Sequence, residues 1–191
     1  MMLILASSSP RRRELLDLLG VDYRPVPVEL DETILPDEEP DEAVLRLAIA
    51  KAEVTTRHHC GSWVIGADTV VAIHGRILGK PADEADAIRM LSDLSGKTHV
   101  VYTGIAVRHS DYPGCSAGTT AKVRFRKLSV AEVEAYVATG EPMDKAGAYA
   151  VQGIGGTLVD RIEGELSTIV GLTLSATAGL LTRAGISHAL S

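Results

Sequence analysis

Apolar positions along the chain recur with two different periods, and the changes of period mark its elements. Residues 3–6 are apolar without interruption and read as a short strand running into Ser7-Ser8-Ser9-Pro10. Leu15, Leu16 and Leu19 share one side of a helix that ends at Gly20, where a glycine is favoured just past a helix C-terminus. An acidic, proline-spaced stretch over residues 31–41 leads into a second helix over about 42–57. The most apolar run, residues 63–73, reads as a strand, and His74-Gly75 turns it back as a tight hairpin into Arg76-Ile77-Leu78. A third helix starts near Asp83, carries Ile88, Leu91 and Leu94 on one side, and stops at Gly96. Strands follow over 99–108 and 119–126; in the second, Ala121, Val123 and Phe125 alternate with Lys122, Arg124 and Arg126, so one face is wet. Ser129 and Glu132 have capping-box spacing for a helix ending at Gly140. A glycine-rich stretch over 146–156, a strand near 158–162 and a last helix before Gly185 complete the order. No repeat or low-complexity segment interrupts it. Strands and helices alternate while hairpins intrude, which predicts an α/β fold with a mixed, twisted sheet and flanking helices.

Composition narrows the partners. The 191 residues suit one domain or a domain with a small lobe. Only 4% of them are aromatic, so a core must be assembled from Ala, Val, Ile and Leu. A net charge of −6 argues against the broad basic surface that nucleic acids require. A small polyanion remains compatible, provided the few cations gather locally. Cys60 and Cys115 form no C-x-x-C pair and read as two reduced thiols. The apolar start is too short for a signal peptide and no run reaches membrane-spanning length. The expectation is a soluble cytoplasmic protein with no membrane or nucleic-acid partner.

Three positions break local rules. Ser9 as N-cap and Pro10 as first helical residue put Arg11, Arg12 and Arg13 in a helix's first turn. Cations there are unfavourable by about 0.3–1 kcal/mol each. A phosphate bound by the free N–H groups, serine hydroxyls and guanidinium forks would reverse that sign; a solvated basic face is the alternative. Lys51 follows Val44, Leu47 and Ala48 on the apolar stripe of the second helix. Its ammonium either bends out to water or meets a negative partner. Arg46 and Glu53 lie off that stripe and read as surface. Asp68 stands in the middle of the strongest strand, where a charge requires a cation, a metal or hydrogen bonds. It is a site carboxylate or half of a buried ion pair. Gly66 beside it permits close approach of backbone or ligand, and Glu32, in an acidic loop, is a second carboxylate.

Three motifs are rejected. Gly75 to Lys80 lacks the P-loop spacing, and Pro81 replaces its hydroxyl residue. Gly114-Cys115-Ser116-Ala117-Gly118 fits a nucleophile elbow in letters but follows a turn and precedes a β-patterned run. Adjacent His58-His59-Cys60 at a helix end do not converge on one ion and read as an exposed loop.

Six blocks in one order resemble the Maf family of nucleotide pyrophosphatases. They are Ala6-Ser7-Ser8-Ser9-Pro10-Arg11-Arg12 with Glu14-Leu15-Leu16; Asp31-Glu32; and Arg46-Leu47-Ala48 with Lys51-Ala52. Then come Gly66-Ala67-Asp68-Thr69-Val70-Val71, Gly79-Lys80-Pro81, and the run from Asp144-Lys145-Ala146-Gly147-Ala148-Tyr149 to Gln152-Gly153. The resemblance implies a single Maf-like domain over 1–191 with two lobes and a central cleft, like inosine triphosphate pyrophosphatases, often as a homodimer. It implies cleavage of a nucleoside triphosphate to monophosphate and pyrophosphate with a divalent metal, Mg²⁺ or Mn²⁺. Asp68 would be proton acceptor and, with Glu32, metal ligand. Ser7, Arg11, Arg12, Lys51 and Lys80 match phosphate-handling positions; Arg11, Thr69 and Gln152 match positions that distinguish substrates. The Asp144 run and Gln152 resemble the dTTP/UTP branch. Alternatives are action on other modified nucleotides such as 7-methyl-GTP, or a non-catalytic nucleotide-binding regulator of septum formation. One departure is Thr173, where the family has proline after Val170-Gly171-Leu172; threonine is expected to serve there as a helix cap.

Overall fold

The computed structural model describes residues 2–190. In chain order come β1 (Leu3–Leu5), α1 (Pro10–Asp17), β2 (Tyr23–Pro25), α2 (Pro40–His58), β3 (Trp63–Ile73) and β4 (Arg76–Leu78). Next are α3 (Glu84–Leu94), β5 (Thr98–Arg108), β6 (Cys115–Phe125) and α4 (Val130–Val137). Three 3₁₀ turns, Glu141–Asp144, Ala146–Ala148 and Ile154–Leu158, precede β7 (Val159–Glu163), α5 (Leu166–Val170) and α6 (Leu174–Arg183). Seven strands form one sheet in the order β2-β1-β3-β5-β6-β7, with β4 on β3. β1 is parallel to β2 and to β3, while β3–β4 and β6–β7 are antiparallel. The sheet is mixed, as the hydrophobic pattern predicts.

Local chemistry explains most boundaries. His74 and Gly75 both take positive φ, 51° and 74°, as a two-residue hairpin turn requires. Asp83 caps α3 by accepting from the Asp86 amide, and Ser129 and Glu132 complete the capping box of α4. β6 starts four residues before the expected position, because Cys115 to Thr119 carry no apolar alternation in sequence although alternate residues are half-buried. Neither β2 nor α5 was expected. β2 is a three-residue strand containing a proline, and α5 is five residues long, so neither shows a period.

The chain divides into two compact units. One comprises residues 1–68, 103–119 and 171–191, and the other residues 69–102 and 120–170. The first has an aliphatic core around Ile4, Ala6, Ala48, Ala52, Val64 and Ala106. The second buries Leu91, Leu94, Val101 and Val123, but also Phe125, Tyr136 and Tyr149. Phe125, Tyr136 and Tyr149 are thus used inside, a correction to the purely aliphatic core expected from composition.

Within the first unit, two glycines set the distance between α2 and the sheet. A Cβ on Gly66 of β3 would lie 2.2 Å from the Ala48 carbonyl oxygen, and one on Gly104 of β5 2.3 Å from that of Val44. The helix backbone therefore rests directly on the strands. The close approach anticipated at Gly66 is that of α2.

Candidate active site

Because α2 lies so near β3, the Lys51 side chain cannot bend out to water as long cations on apolar stripes often do. It is 5% exposed, and its Nζ sits 2.6 Å from Asp68 Oδ1 and 2.6 Å from Glu32 Oε1. Asp68, two residues after Gly66 on the same face of β3, is 7% exposed. The sequence left open whether Asp68 is half of an ion pair or a site group. It is paired, and its partner also holds a half-exposed second carboxylate.

Glu32 is held by a frame of its own. Arg46 Nε and Nη2 donate to both oxygens of Glu38, at 2.5 and 2.7 Å, and Nη2 also reaches the Thr33 carbonyl at 3.1 Å. Hydrogen bonding to Arg46 holds the Glu38 carboxyl down at about 2. Asp31 accepts from the Thr33 amide and hydroxyl, which lowers its carboxyl as well. Arg46 thereby ties the acidic loop to α2 and corrects its reading as a surface residue. The available signal was an arginine on α2, five residues before Lys51 and just after a loop rich in carboxylates. Glu53 is exposed, with Arg108 Nε 3.7 Å from it.

At α1 the predicted cap is present. Ser9 Oγ accepts from the Arg12 amide at 3.4 Å, Pro10 follows, and no acidic residue occupies the first turn. The arginines diverge. Arg12 turns inward, with Nε donating to the Gly171 carbonyl at 2.9 Å and Nη1 to the buried Ser7 Oγ at 3.4 Å. Burial lowers the Arg12 pKa, while the charges of Asp68 and Glu32 pull the other way. Arg11, half-buried, makes no hydrogen bond or ion pair among the described residues. Arg13 is exposed. Ser7, Arg11, Arg12, Glu32, Lys51 and Asp68 all belong to the first unit.

The second unit carries Thr69, Lys80 and Gln152. Thr69 follows Asp68 in β3 and is half-buried. Lys80 and Gln152 are exposed, without a hydrogen bond or ion pair among the described residues. Lys80 adjoins Gly79, whose carbonyl accepts from the Gly147 amide at 3.0 Å. Gly147 adopts φ 68°, and a Cβ there would lie 3.0 Å from the Val71 side chain. Asp144 and Lys145 pair with each other. Thr173 stands at the N-cap of α6, but its hydroxyl makes no cap bond. It meets Thr119 Oγ1 at 2.5 Å instead, so the expected capping role is corrected to a cross-link within the first unit.

No cluster of three or more His, Cys, Asp or Glu side chains is poised around a metal among the described residues. Asp68 and Glu32 nevertheless converge on one small cationic centre, Lys51 Nζ. Two carboxylates supplemented by phosphate oxygens are the donor set Mg²⁺ accepts. Both cysteines are free, and no helix among the described residues is long and apolar enough to cross a membrane.

Sheet order and site together define a class: an α/β protein whose buried strand acid is neutralised from a helix laid on glycines. The Ham1 protein of Staphylococcus aureus has this fold, with a TM-score of 0.51 at 15% identity over 98% of this chain and 92% of that one. The family description Maf-like protein matches residues 2–184, and the chain belongs to that family. A dTTP/UTP pyrophosphatase of Syntrophomonas wolfei is 46% identical over 95% of this chain and 96% of its own. One from an Anaeromyxobacter species is 50% identical, over 96% and 89%.

Proposed function

We propose that this protein hydrolyses dTTP and UTP to the monophosphate and pyrophosphate. The observation that carries this reading is the pairing of Asp68 and Glu32 through Lys51, in a unit that also presents Arg11, Arg12 and Ser7. Relatives of nearly the same length, named for that activity, support the choice of bond and nucleotide.

The reaction joins a water oxygen to the α-phosphorus and breaks the bond from that phosphorus to the α–β bridging oxygen. Asp68 is suited to take the water proton, since it is held in one orientation by the Lys51 ammonium. Negative charge builds on the departing pyrophosphate, and arginine and lysine side chains stabilise it there. Arg11 has its donors uncommitted; Arg12, already bonded to Gly171 and Ser7, supplies fixed positive charge. Lys80 is assigned to the phosphates, and Thr69 and Gln152 to the substrate, by their family positions. Asp68 and Glu32 would hold a divalent cation, which would neutralise phosphate charge and lower the pKa of a bound water. The amide of Gln152 offers both donor and acceptor to the edge of a uracil or thymine ring.

Mass spectrometry of the products from UTP and Mg²⁺ tests the bond assignment. UMP with pyrophosphate is expected, and ¹⁸O from labelled water should appear in UMP. UDP with inorganic phosphate would overturn the reading.

A further inference from the structure

Gln152 sits on a glycine-rich loop whose shape is imposed from one side by two groups outside it. Tyr136, buried at the end of α4, directs its hydroxyl under the loop, where it accepts from the Ala150 amide at 3.1 Å. The same hydroxyl donates to Glu141 Oε1 at 2.8 Å. Glu141 then takes two further amides, Gly155 on Oε1 at 2.9 Å and Ile154 on Oε2 at 3.0 Å. Burial alone would raise the Glu141 carboxyl, but the Gly155 amide, the Tyr136 hydroxyl and the Ile154 amide outweigh it and leave it lowered. The carboxylate therefore stays charged and accepting at neutral pH.

The loop sequence is cut to fit these two groups. A Cβ on Gly153 would lie 2.2 Å from Glu141 Oε2, and one on Gly155 2.5 Å from the Tyr136 hydroxyl. Any side chain at either position would displace the carboxylate or the phenol. The chain is thus pinned at 150 before Gln152 and at 154 and 155 after it. Between the pins the Gly153 amide closes on the Ala150 carbonyl at 3.3 Å. An exposed glutamine with no bond of its own owes its direction to the backbone beneath it.

We propose that Glu141 and Tyr136 are positioning residues for nucleobase selection, clamping residues 150–155 so that Gln152 meets the pyrimidine edge in one orientation. This rests on the UTP/dTTP reading of the site. Glutamine cannot replace Glu141 fully, because its NH₂ would face an amide N–H on one of the two sides.

Two readouts test the clamp. Hydrogen exchange should show the 154 and 155 amides exchanging faster in Glu141→Ala than in the wild type. The kcat/KM ratio of UTP to CTP should fall about tenfold in Glu141→Ala, the worth of about one oriented hydrogen bond, and less in Glu141→Gln. Because the clamp acts through Gln152, Glu141→Ala combined with Gln152→Ala should leave the ratio no lower than Gln152→Ala alone. Tyr136→Phe, which keeps the ring in the core, should reproduce the loss in part. Unchanged exchange, or a wild-type ratio alongside faster exchange, overturns the proposal while leaving the activity standing. A wild-type enzyme that releases no UMP from UTP sinks the activity reading and the selection role with it.

Discussion

Lys51 is a buried cation shared by two carboxylates, and only 6% of its side chain remains exposed. Removing one partner of a buried pair strands the other charge, at a cost of about 3–5 kcal/mol. Glu32 is half exposed and can rehydrate, so Lys51→Met should fall at the lower end, about 3 kcal/mol by urea unfolding. A variant as stable as the wild type would mean that the three groups do not meet in solution. Asp68 and Lys51 were legible from sequence because each violates its surroundings, an acid in a strand and an ammonium on an apolar stripe. Arg46 was not. Its position off the stripe is where arginines ordinarily sit, and its bidentate hold on Glu38 depends on the fold of the acidic loop. Thr173 was half legible: its place at the head of α6 could be read, but its bond to Thr119 crosses a separation that sequence does not reveal.

At the scale of elements, the α2–β3 contact places the lysine against the aspartate, and Gly66 sets that contact. Gly66→Ala would thrust a methyl group to 2.2 Å from the Ala48 carbonyl, which is helix backbone and cannot rotate away. Overpacking of this kind costs about 1–3 kcal/mol, and displacement of α2 should lower turnover with it. Gly179→Ala is the matched control. It lies within α6 with nothing inside 4 Å of a new Cβ, and should stabilise by about 0.5–1 kcal/mol. Thermal unfolding of both variants separates them; equal stability would remove Gly66 from the account. Long amphipathic and apolar segments were readable because period and caps agreed, as at α3, α4 and β3. β2, α5 and the start of β6 had no period to show. The 3₁₀ turns around Gln152 depend on Tyr136 and Glu141, which sequence could not connect to them.

For the molecule as a whole, acid should act through the core of the second unit. His99 is 1% exposed, packed edge-on against Phe125 and Tyr149, with Nε2 2.9 Å from the Tyr149 hydroxyl and Nδ1 lacking a partner. Burial pushes its pKa down to about 4 from 6.5. Between those values the unfolded chain binds the proton and the folded chain does not, so stability falls as the pH drops through that window. From pH 7 to pH 5 the loss should be about 2 kcal/mol. Glu38 and Glu132, both held at about 2, add to acid lability only below their unfolded value of 4.5. Urea unfolding at pH 7 and pH 5 should therefore show a smaller difference in His99→Gln than in the wild type, and identical differences would exclude His99. Pyrophosphate release from UTP in Asp68→Asn shows whether the strand-embedded acid activates the attacking water. Turnover should fall about 10²–10⁴-fold, the usual worth of a general base, with nucleotide affinity retained. An Asp68→Asn enzyme that releases pyrophosphate at the wild-type rate would contradict that role.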